Sequence, residues 1–413
     1  YTPNCAYQDS TVGVWQFHDN SSENYDKWNS GGVDLGIDGS LTAWQSSHGG
    51  MYSSGTYVTS LGYDWAGRGW NATSNKMVLG GNDTSFGDET LRYMFWDTCQ
   101  SIKYSTGYNP YSTWGARAKG IRMIFGYETN SIDSPSYGQY FWEEWNKGKS
   151  FSTAFLDASW RIYTPQSPVA MAFGSTSTEA SNILNSERYL YWNAASSTYG
   201  AWRWYYASSA ARETSSSSVP STVTVFKAAA RGNTDAEVRT LAQSLGIPAQ
   251  GIEVRPFGLK AVLTRGTSLV VEPDGDFELS IHRVPVGKGG QVIEDGVLVE
   301  RARALLEAHD LAGDQELAVG LVRYLNENSG SAKTLGTPRT LEKSVIFDQV
   351  MAGMPFIDAD SGHVEITFDA VSGEVKGIRS TLRRVSPSEK AGSFGALSLE
   401  EARDAALDQA LVD

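Results

Sequence analysis

The segment LRYMFWDTC (residues 91–99) decides how the first half of the chain is interpreted. Its bulky apolar residues predict a run that is helical at its start and strand-like at its end, and the run ends in Asp97 and Cys99. The earlier segment SLTAWQSSHGG (residues 40–50) has the same form, because a short apolar run ends in small residues, His48 and two glycines. The two segments therefore predict two strands whose ends carry a histidine and a cysteine.

Apolar runs alternate with helical stretches through the rest of this half. Further strands are predicted in residues 119–128 and 168–175, and residues 138–163 predict two helices with Gly148 as the break. This alternation predicts an α/β fold with a mostly parallel sheet that is flanked by helices. Because functional residues of such sheets lie at the carboxyl ends of the strands, the histidine and the cysteine are candidates for one site.

Composition divides the chain into two parts. Its 413 residues are too many for one ordinary hydrophobic core. All thirteen tryptophans lie in the first part, between Trp15 and Trp204. The Ser-rich segment ASSAARETSSSSVPST (residues 207–222) then predicts a linker or a terminus. We therefore expect two domains, at residues 1–213 and 214–413.

Charge and missing motifs exclude several classes of function. A net charge of −13 argues against nucleic acid as a partner, since phosphate binding needs clustered lysine and arginine. No apolar run approaches the roughly 20 residues of a spanning helix, so we expect no membrane insertion. Metal-binding and phosphate-binding motifs are missing, so we expect neither a metal nor a cofactor. Sequons at Asn20, Asn71 and Asn82 and a low lysine content favour a secreted protein.

His48 and Cys99 would supply the parts of a nucleophilic site. A cysteine attacks as the thiolate, and a neighbouring imidazole can take its proton. Gly49 lets the chain approach a substrate closely, and its N–H, together with that of Cys99, is a candidate donor to an oxyanion. Two other interpretations of Cys99 stay open: a buried packing thiol and a disulfide with Cys5.

These segments resemble the caspase-like superfamily of cysteine peptidases. The motifs that carry the likeness are SSHGG, which ends at Gly50, and FWDTCQS, which ends at Ser101. His48 and Cys99 are separated by 51 positions, close to the spacing of about 50 residues in caspases. The resemblance implies a caspase-like sheet, a thioester mechanism with Cys99 as nucleophile and His48 as base, and a peptide or protein substrate. The sequence departs from the family at Ser101, where a glycine is usual.

Asp97 precedes the cysteine by two residues, and residues two apart on a strand point to the same side. The resemblance implies that this carboxylate lines the S1 pocket, where it would favour Arg or Lys, or else Asn, at the P1 position of the substrate. A structural role as a hydrogen-bond acceptor is the alternative.

The second half predicts a different module. Residues 296–309 have the period of an amphipathic helix, and residues 343–385 predict a meander of strands with turns at Gly353, Gly362 and Gly373. This meander resembles PepSY-type propeptide domains. The resemblance implies a separate α+β domain that inhibits or chaperones the peptidase, so that the chain's own propeptide-like module is a partner.

We expect this module to pack over the cleft between His48 and Cys99 and to keep the enzyme latent until the linker is cut. Arg212 lies in this linker and would suit an enzyme with an acidic S1 pocket, so the enzyme itself is a candidate for making the cut. Propeptides of this type usually come first, whereas this module follows in the numbering. Two classes without catalysis stay open: a secreted module whose aromatic side chains stack on glycans, and a pseudoenzyme on the same fold. Both predict an unreactive Cys99.

Overall fold

The structure is a computed structural model that describes most of the chain. The described residues are 40–46, 48–59, 87, 90–105, 107–162, 165–208, 222–223, 226–229, 232–248, 251–282, 290–351, 353–356, 360–387 and 394–395. Cys5, Arg212 and the three sequons lie outside these residues, so the predictions that involve them have no structural counterpart.

Helices and strands of both halves follow one another along the described residues. The strands are β1 (Thr42–Ser46), β2 (Gly49–Met51), β3 (Tyr57–Thr59), β4 (Tyr93–Asp97), β5 (Met123–Tyr127), β6 (Pro168–Gly174), β7 (Tyr199–Ser208), β8 (Thr222–Val223), β9 (Phe226–Ala229), β10 (Glu253–Val254), β11 (Lys260–Thr264), β12 (Thr267–Val271), β13 (Phe277–Ile281), β14 (Glu316–Gly330), β15 (Arg339–Met351), β16 (Met354–Pro355), β17 (His363–Asp369), β18 (Val375–Ser380), β19 (Arg384–Pro387) and β20 (Phe394–Gly395). The helices are α1 (Pro110–Trp114), α2 (Tyr137–Asn146), α3 (Phe151–Ile162), α4 (Ser177–Ser186), α5 (Asp235–Ser244) and α6 (Asp295–Ala308). None of these helices is long and apolar enough to cross a lipid bilayer.

One mixed sheet of fourteen strands runs through both halves. Its order is β1-β4-β5-β6-β7-β14-β15-β17-β18-β13-β12-β11-β10, and β16 pairs with β15. The pairs β2 with β3, β9 with β19 and β8 with β20 form three small sheets. The first half therefore contributes one end of the large sheet, and the second half contributes the other.

The expectation of a mostly parallel, caspase-like sheet flanked by helices is wrong. Among the described strands only β1 with β4 and β4 with β5 pair in parallel, and the other pairings are antiparallel. The cause lies in the connection after β5. A single crossover helix would carry the chain back to the level of the start of β5, so that the next strand would run parallel to it. Instead α2 and α3 form a helix pair that returns the chain to the level of the end of β5, so that β6 runs antiparallel. Pro168 at the start of β6 therefore lies beside Tyr127 at the end of β5.

Several local expectations are confirmed. Residues 138–163 form α2 and α3, and Gly148 between them has a φ of +102°, a left-handed conformation that favours glycine. In the second half, α6 and the strands from β15 to β19 form where the pattern predicts a helix and a meander. The turn residues Gly353, Gly362 and Gly373 have φ values of +77°, +82° and +69°.

An aromatic ladder crosses the three parallel strands. Trp44, Phe95 and Phe125 lie level with one another in the register, and their ring centroids are 4.8 Å and 4.3 Å apart. The opposite face of β4 carries Trp96, which stacks on Trp114 at 5.6 Å. Since β4 is buried along its whole length, a slip of one residue would exchange its two packed faces. The packing therefore fixes the level at which β1 and β4 end.

The two halves have separate hydrophobic cores that share one sheet. The first core is built from residues up to Tyr205 together with Leu325 and Leu341, and the second lies between Val238 and Leu382. Between the cores, β7 and β14 pair antiparallel over nine residue pairs. The continuous sheet thus holds the two cores next to each other.

A layer of buried ion pairs lies where α2 and α3 meet the second half. Lys149 is at its centre, with Nζ 2.6 Å from a Glu144 oxygen and 2.7 Å from an Asp157 oxygen. The same ammonium lies 2.6 Å from Glu278 of the second half. One lysine therefore connects carboxylates of both halves.

Candidate functional site

The carboxyl ends of β1 and β4 lie side by side. Ser46, the last residue of β1, is level with Asp97, the last residue of β4, and this pairing has an offset of 51 positions. His48 and Cys99 each follow their strand by two residues and have the same offset. Because neighbouring strands lie about 4.8 Å apart, His48 and Cys99 continue the two strands at the same end of the sheet.

Gly49 lies against the segment that contains the cysteine. An ideal Cβ built on Gly49 would be 2.8 Å from Tyr57 Oη, 2.9 Å from Thr98 Cβ and 3.1 Å from the carbonyl oxygen of Cys99. A Cβ on the neighbouring Gly50 would meet nothing within 4 Å. The close approach of the two strand ends therefore requires glycine at the first position and not at the second.

Cys99 is a half-buried free thiol at a sharp turn. The next residue, Gln100, has a φ of +56°, which is uncommon for a residue with a side chain. Its N–H donates to the Thr129 carbonyl at 2.8 Å, and its side-chain oxygen accepts from the Met51 N–H at 3.3 Å. The Cys99 sulfur itself lies 3.9 Å from the Ser131 carbonyl oxygen. Gln100 thus ties the cysteine turn to β2 on one side and to the loop after β5 on the other.

The residues on either side of the cysteine turn are bonded into the core. Ser101 Oγ donates to the Thr98 carbonyl at 3.1 Å and accepts from the Tyr127 N–H at 3.0 Å, and Thr98 Oγ1 shares a hydrogen bond with Tyr57 Oη. Thr98 and Ser101 are both fully buried. The departure from the caspase-like pattern at Ser101 therefore affects core packing beneath the thiol.

Asp97 is a buried carboxylate with one oxygen satisfied. Only 5% of the residue is exposed, and its Oδ2 accepts a hydrogen bond of 2.9 Å from Ser46 Oγ. Its Oδ1 is buried and has no hydrogen-bond partner among the described residues. Burial raises the pKa of Asp97 to about 7, against the lowering effect of the Ser46 hydroxyl, and the charge of Asp133 raises it further. The open oxygen can be satisfied by a proton or by a cation.

The residues predicted as a site gather at one end of the sheet, with Gly49 in contact with Cys99 and with Asp97 beneath them. His48 is exposed to solvent. Sequence reasoning missed three residues of this region, Ser46, Tyr57 and Gln100. Ser46 could have been identified from the sequence, because an alignment of the two segments at the offset of 51 places it opposite Asp97. Tyr57 and Gln100 could not, because they act through tertiary contacts that leave no local pattern.

No metal centre is evident in the part of the chain that the structure describes, where no cluster of three or more His, Cys, Asp or Glu residues could hold an ion. The ends of β1 and β4 carry an imidazole, a thiol and a carboxylate, and the backbone of Gly49 lies beside the Cys99 carbonyl group. These groups can carry out proton transfer and nucleophilic attack from the side chains alone.

Comparison with known protein families gives a match over the first half of the chain. A family model described as a domain of unknown function (DUF6345) matches residues 15–204. No curated protein and no solved structure matches the chain. The matched region contains the ends of β1 and β4 and stops within β7, so over the first half this chain is similar to a family whose function its description leaves open.

Proposed function

We propose that this protein is a cysteine peptidase in which Cys99 is the nucleophile and His48 the general base. The observation that carries the proposal is the common offset of 51 in the pairing of β1 with β4 and in the separation of the two residues. The close approach of Gly49 to the backbone carbonyl of Cys99 supports it as well. A caspase-like sheet is not needed, because nucleophile and base are recognised by geometry and recur on unrelated folds.

In the proposed reaction His48 takes the proton of the Cys99 thiol, and the sulfur attacks the carbonyl carbon of the scissile peptide bond. The N–H groups of Gly49 and Cys99 bind the oxyanion that forms. When the C–N bond breaks, the imidazolium gives its proton to the leaving amine and a thioester remains on Cys99. Water, deprotonated by His48, then hydrolyses the thioester and restores the thiol.

We propose in addition that Asp97 binds a basic P1 side chain. Its buried Oδ1 has no partner among the described residues, and an arginine or lysine of the substrate would donate a charge-assisted hydrogen bond to it. The competing assignment is structural. In that case the bond from Ser46 to Asp97 holds the two strand ends together, and burial keeps the carboxyl group protonated below its pKa of about 7.

A secreted location and a regulatory role for residues 214–413 stay predictions. The described strands of the second half extend the sheet beside β7, and β5 and β6 lie between β7 and β4. The strand order therefore lends no support to a second half that covers the ends of β1 and β4.

One observation favours a second function, that of a non-catalytic binding module. Three aromatic residues that lie close together in the sequence are exposed to solvent. They are Tyr189, Tyr191 and Trp192, with 58%, 43% and 69% of their surface accessible. Exposed rings of this kind can stack on the apolar faces of sugars. This function predicts glycan binding that Trp192→Ala removes, together with a Cys99 that has no catalytic role.

Hydrolysis of a fluorogenic peptide with arginine at P1 tests the peptidase. The full chain is assayed before and after limited proteolysis, beside Cys99→Ser, His48→Ala and the control His309→Ala, a histidine of the second half that contacts the Ser244 carbonyl. We expect the wild type and the control to cleave the peptide, Cys99→Ser to be inactive and His48→Ala to lose at least about 10²-fold in kcat/KM. Full activity in Cys99→Ser would contradict the proposal.

A further inference from the structure

A cavity of about 620 Å³ lies between the two halves, away from the ends of β1 and β4. Its wall includes Gly148 and Arg188 from the first half and Arg255 and Arg379 from the second. The volume is in the range of pockets that hold small ligands. Nothing in the proposed peptidase reaction uses this cavity.

The negative charges in the wall are already paired. Each carboxylate of the wall has a cationic partner in the same wall, namely Lys149 for Asp157 and Glu278, Lys376 for Glu342 and Arg323 for Glu365. Every carboxylate of the wall therefore lies beside a cation, and Lys149 is shared by two of them.

Three guanidinium groups of the wall lack such a close partner. Arg188 has no carboxylate within ion-pair distance among the described residues, and its buried Nε has no hydrogen-bond partner there. The nearest carboxylate of Arg255 is the largely exposed Glu253, at 3.6 Å, and that of Arg379 is Asp360, at 3.7 Å. Although burial alone would lower the pKa of Arg379, the carboxylates of Glu144, Asp360 and Glu278 raise it above its ordinary value. The least compensated positive charges of the cavity are therefore those of Arg188 and Arg255.

Two of these groups converge on one point. A Cβ built on Gly148 would lie 3.8 Å from an Nη1 atom of Arg188 and 3.8 Å from that of Arg255. The position is glycine with a φ of +102°, so no side chain fills the space between the two arginines. Arg255 is also fixed in place, since its Nη1 donates to the Lys147 carbonyl at 3.3 Å. Two positive charges that border the same space repel one another, and an anion in that space would relieve the repulsion.

We infer that this cavity binds a small polyanion, a molecule that bears phosphate or carboxylate groups, through Arg188 and Arg255, with Arg379 as a further cation of the wall. The planar guanidinium offers paired N–H donors that match the oxygens of both anion types. Because Arg188 belongs to the first half and Arg255 to the second, the bound anion bridges the halves and stabilises their contact.

Calorimetric titration of the full chain with pyrophosphate and, separately, with citrate tests this inference. Sodium chloride at matched ionic strength is the control for general screening. The variants are Arg188→Ala and Arg255→Ala, and the matched control is Arg301→Ala, an exposed arginine of α6 outside the cavity. Stronger binding of pyrophosphate would identify a phosphate ligand, and stronger binding of citrate a carboxylate ligand.

We expect at least one polyanion to bind with saturation and to raise the Tm above the value in sodium chloride. Arg188→Ala and Arg255→Ala should each weaken binding by at least about tenfold, while Arg301→Ala binds as the wild type does. A circular dichroism spectrum of each variant shows whether it folds. If neither polyanion binds more strongly than chloride, or if folded Arg188→Ala and Arg255→Ala bind as the wild type does, the inference is wrong.

Discussion

Ser46 and Asp97 end two neighbouring parallel strands at the same level, and the hydroxyl of Ser46 donates a hydrogen bond of 2.9 Å to the carboxylate of Asp97. This bond joins the strands immediately before His48 and Cys99. It also leaves one oxygen of a buried carboxylate open. The protonation of Asp97 therefore links the stability of the strand ends to pH.

Asp97→Asn should change how stability depends on pH. The pKa of Asp97 is about 7 in the folded protein, against 3.8 for an ordinary aspartate, so the folded state holds the proton more tightly. The resulting stabilisation is complete below pH 3.8 and is lost as the pH rises through about 7. Relative to Asp97→Asn, the wild type should lose up to about 4 kcal/mol between pH 4 and pH 8. Urea unfolding at several pH values measures this, and parallel pH profiles of the two proteins would refute it.

Alkylation of Cys99 should depend on His48. At pH 7 we expect iodoacetamide to label Cys99 of the wild type at least about tenfold faster than Cys99 of His48→Ala, because the imidazole takes the thiol proton. The rate is followed by mass spectrometry of the peptide that contains Cys99. His309→Ala is the control and should react as the wild type does. Equal rates in all three proteins would favour the packing thiol or the pseudoenzyme.

Gly49→Ala and Gly50→Ala form a matched pair of neighbouring substitutions. The new Cβ at Gly49 would overlap Tyr57 and Thr98, whereas that at Gly50 meets open space. We expect Gly49→Ala to lower the free energy of unfolding by about 1–3 kcal/mol and to reduce peptide hydrolysis, since the strand ends move apart. Gly50→Ala should stay within about 0.5 kcal/mol of the wild type. Denaturant unfolding measures both, and a neutral Gly49→Ala would show that the two segments do not depend on this contact.

Replacement of Asp97 should also alter specificity at P1. With an ionised Asp97 in the S1 pocket, a peptide with arginine should be cleaved at least about 10²-fold faster than its aspartate counterpart, because only the cation pairs with the carboxylate. In Asp97→Asn this preference should largely disappear. The ratio of kcat/KM for the two peptides, measured on the wild type and on Asp97→Asn, tests this role of Asp97. A preference of the wild type for aspartate, or an unchanged preference in the variant, leaves Asp97 with the structural role alone.

Lys149→Met should destabilise the contact between the halves. The substitution leaves Glu144, Asp157 and Glu278 without their shared cation in a buried layer, which costs about 3–5 kcal/mol in comparable cases. The control is Lys260→Met, which breaks a pair of similar length with the exposed Asp235 and should leave the Tm unchanged. Thermal unfolding compares the two variants. Equal Tm values would mean that the buried layer contributes no more than a surface pair.

The elements that could be predicted are those that depend on neighbours in the sequence. The apolar run that ends at Asp97, the two helices around Gly148 and the glycine turns of the second half all follow from local patterns. The direction of β6 does not, because it depends on how α2 and α3 pack against each other and lead the chain back to the end of β5, which is a tertiary property. The long pairing of β7 with β14 is also invisible locally, since its partners are more than a hundred positions apart.

The residues of the candidate site likewise divide into those that local sequence patterns predict and those that depend on tertiary contacts. The strand ends at His48 and Cys99 could be located because an apolar run marks a strand wherever it packs. The role of Gln100 could not, because its positive φ is stabilised by Thr129 and Met51, which reach it only in the folded chain. The open oxygen of Asp97 likewise depends on which donors surround it, and no sequence motif encodes the lack of a donor.

The pairing of β7 with β14 has a consequence for any processing of this chain. A cut in the Ser-rich segment would break one peptide bond, but nine residue pairs of sheet and the buried pair of Arg203 with Glu327 would still connect the pieces. The nicked protein should migrate as a single particle in gel filtration, a heterodimer of two fragments. A first half that is stripped of its partner would expose β7 as a bare sheet edge, ready to recruit a strand from another chain.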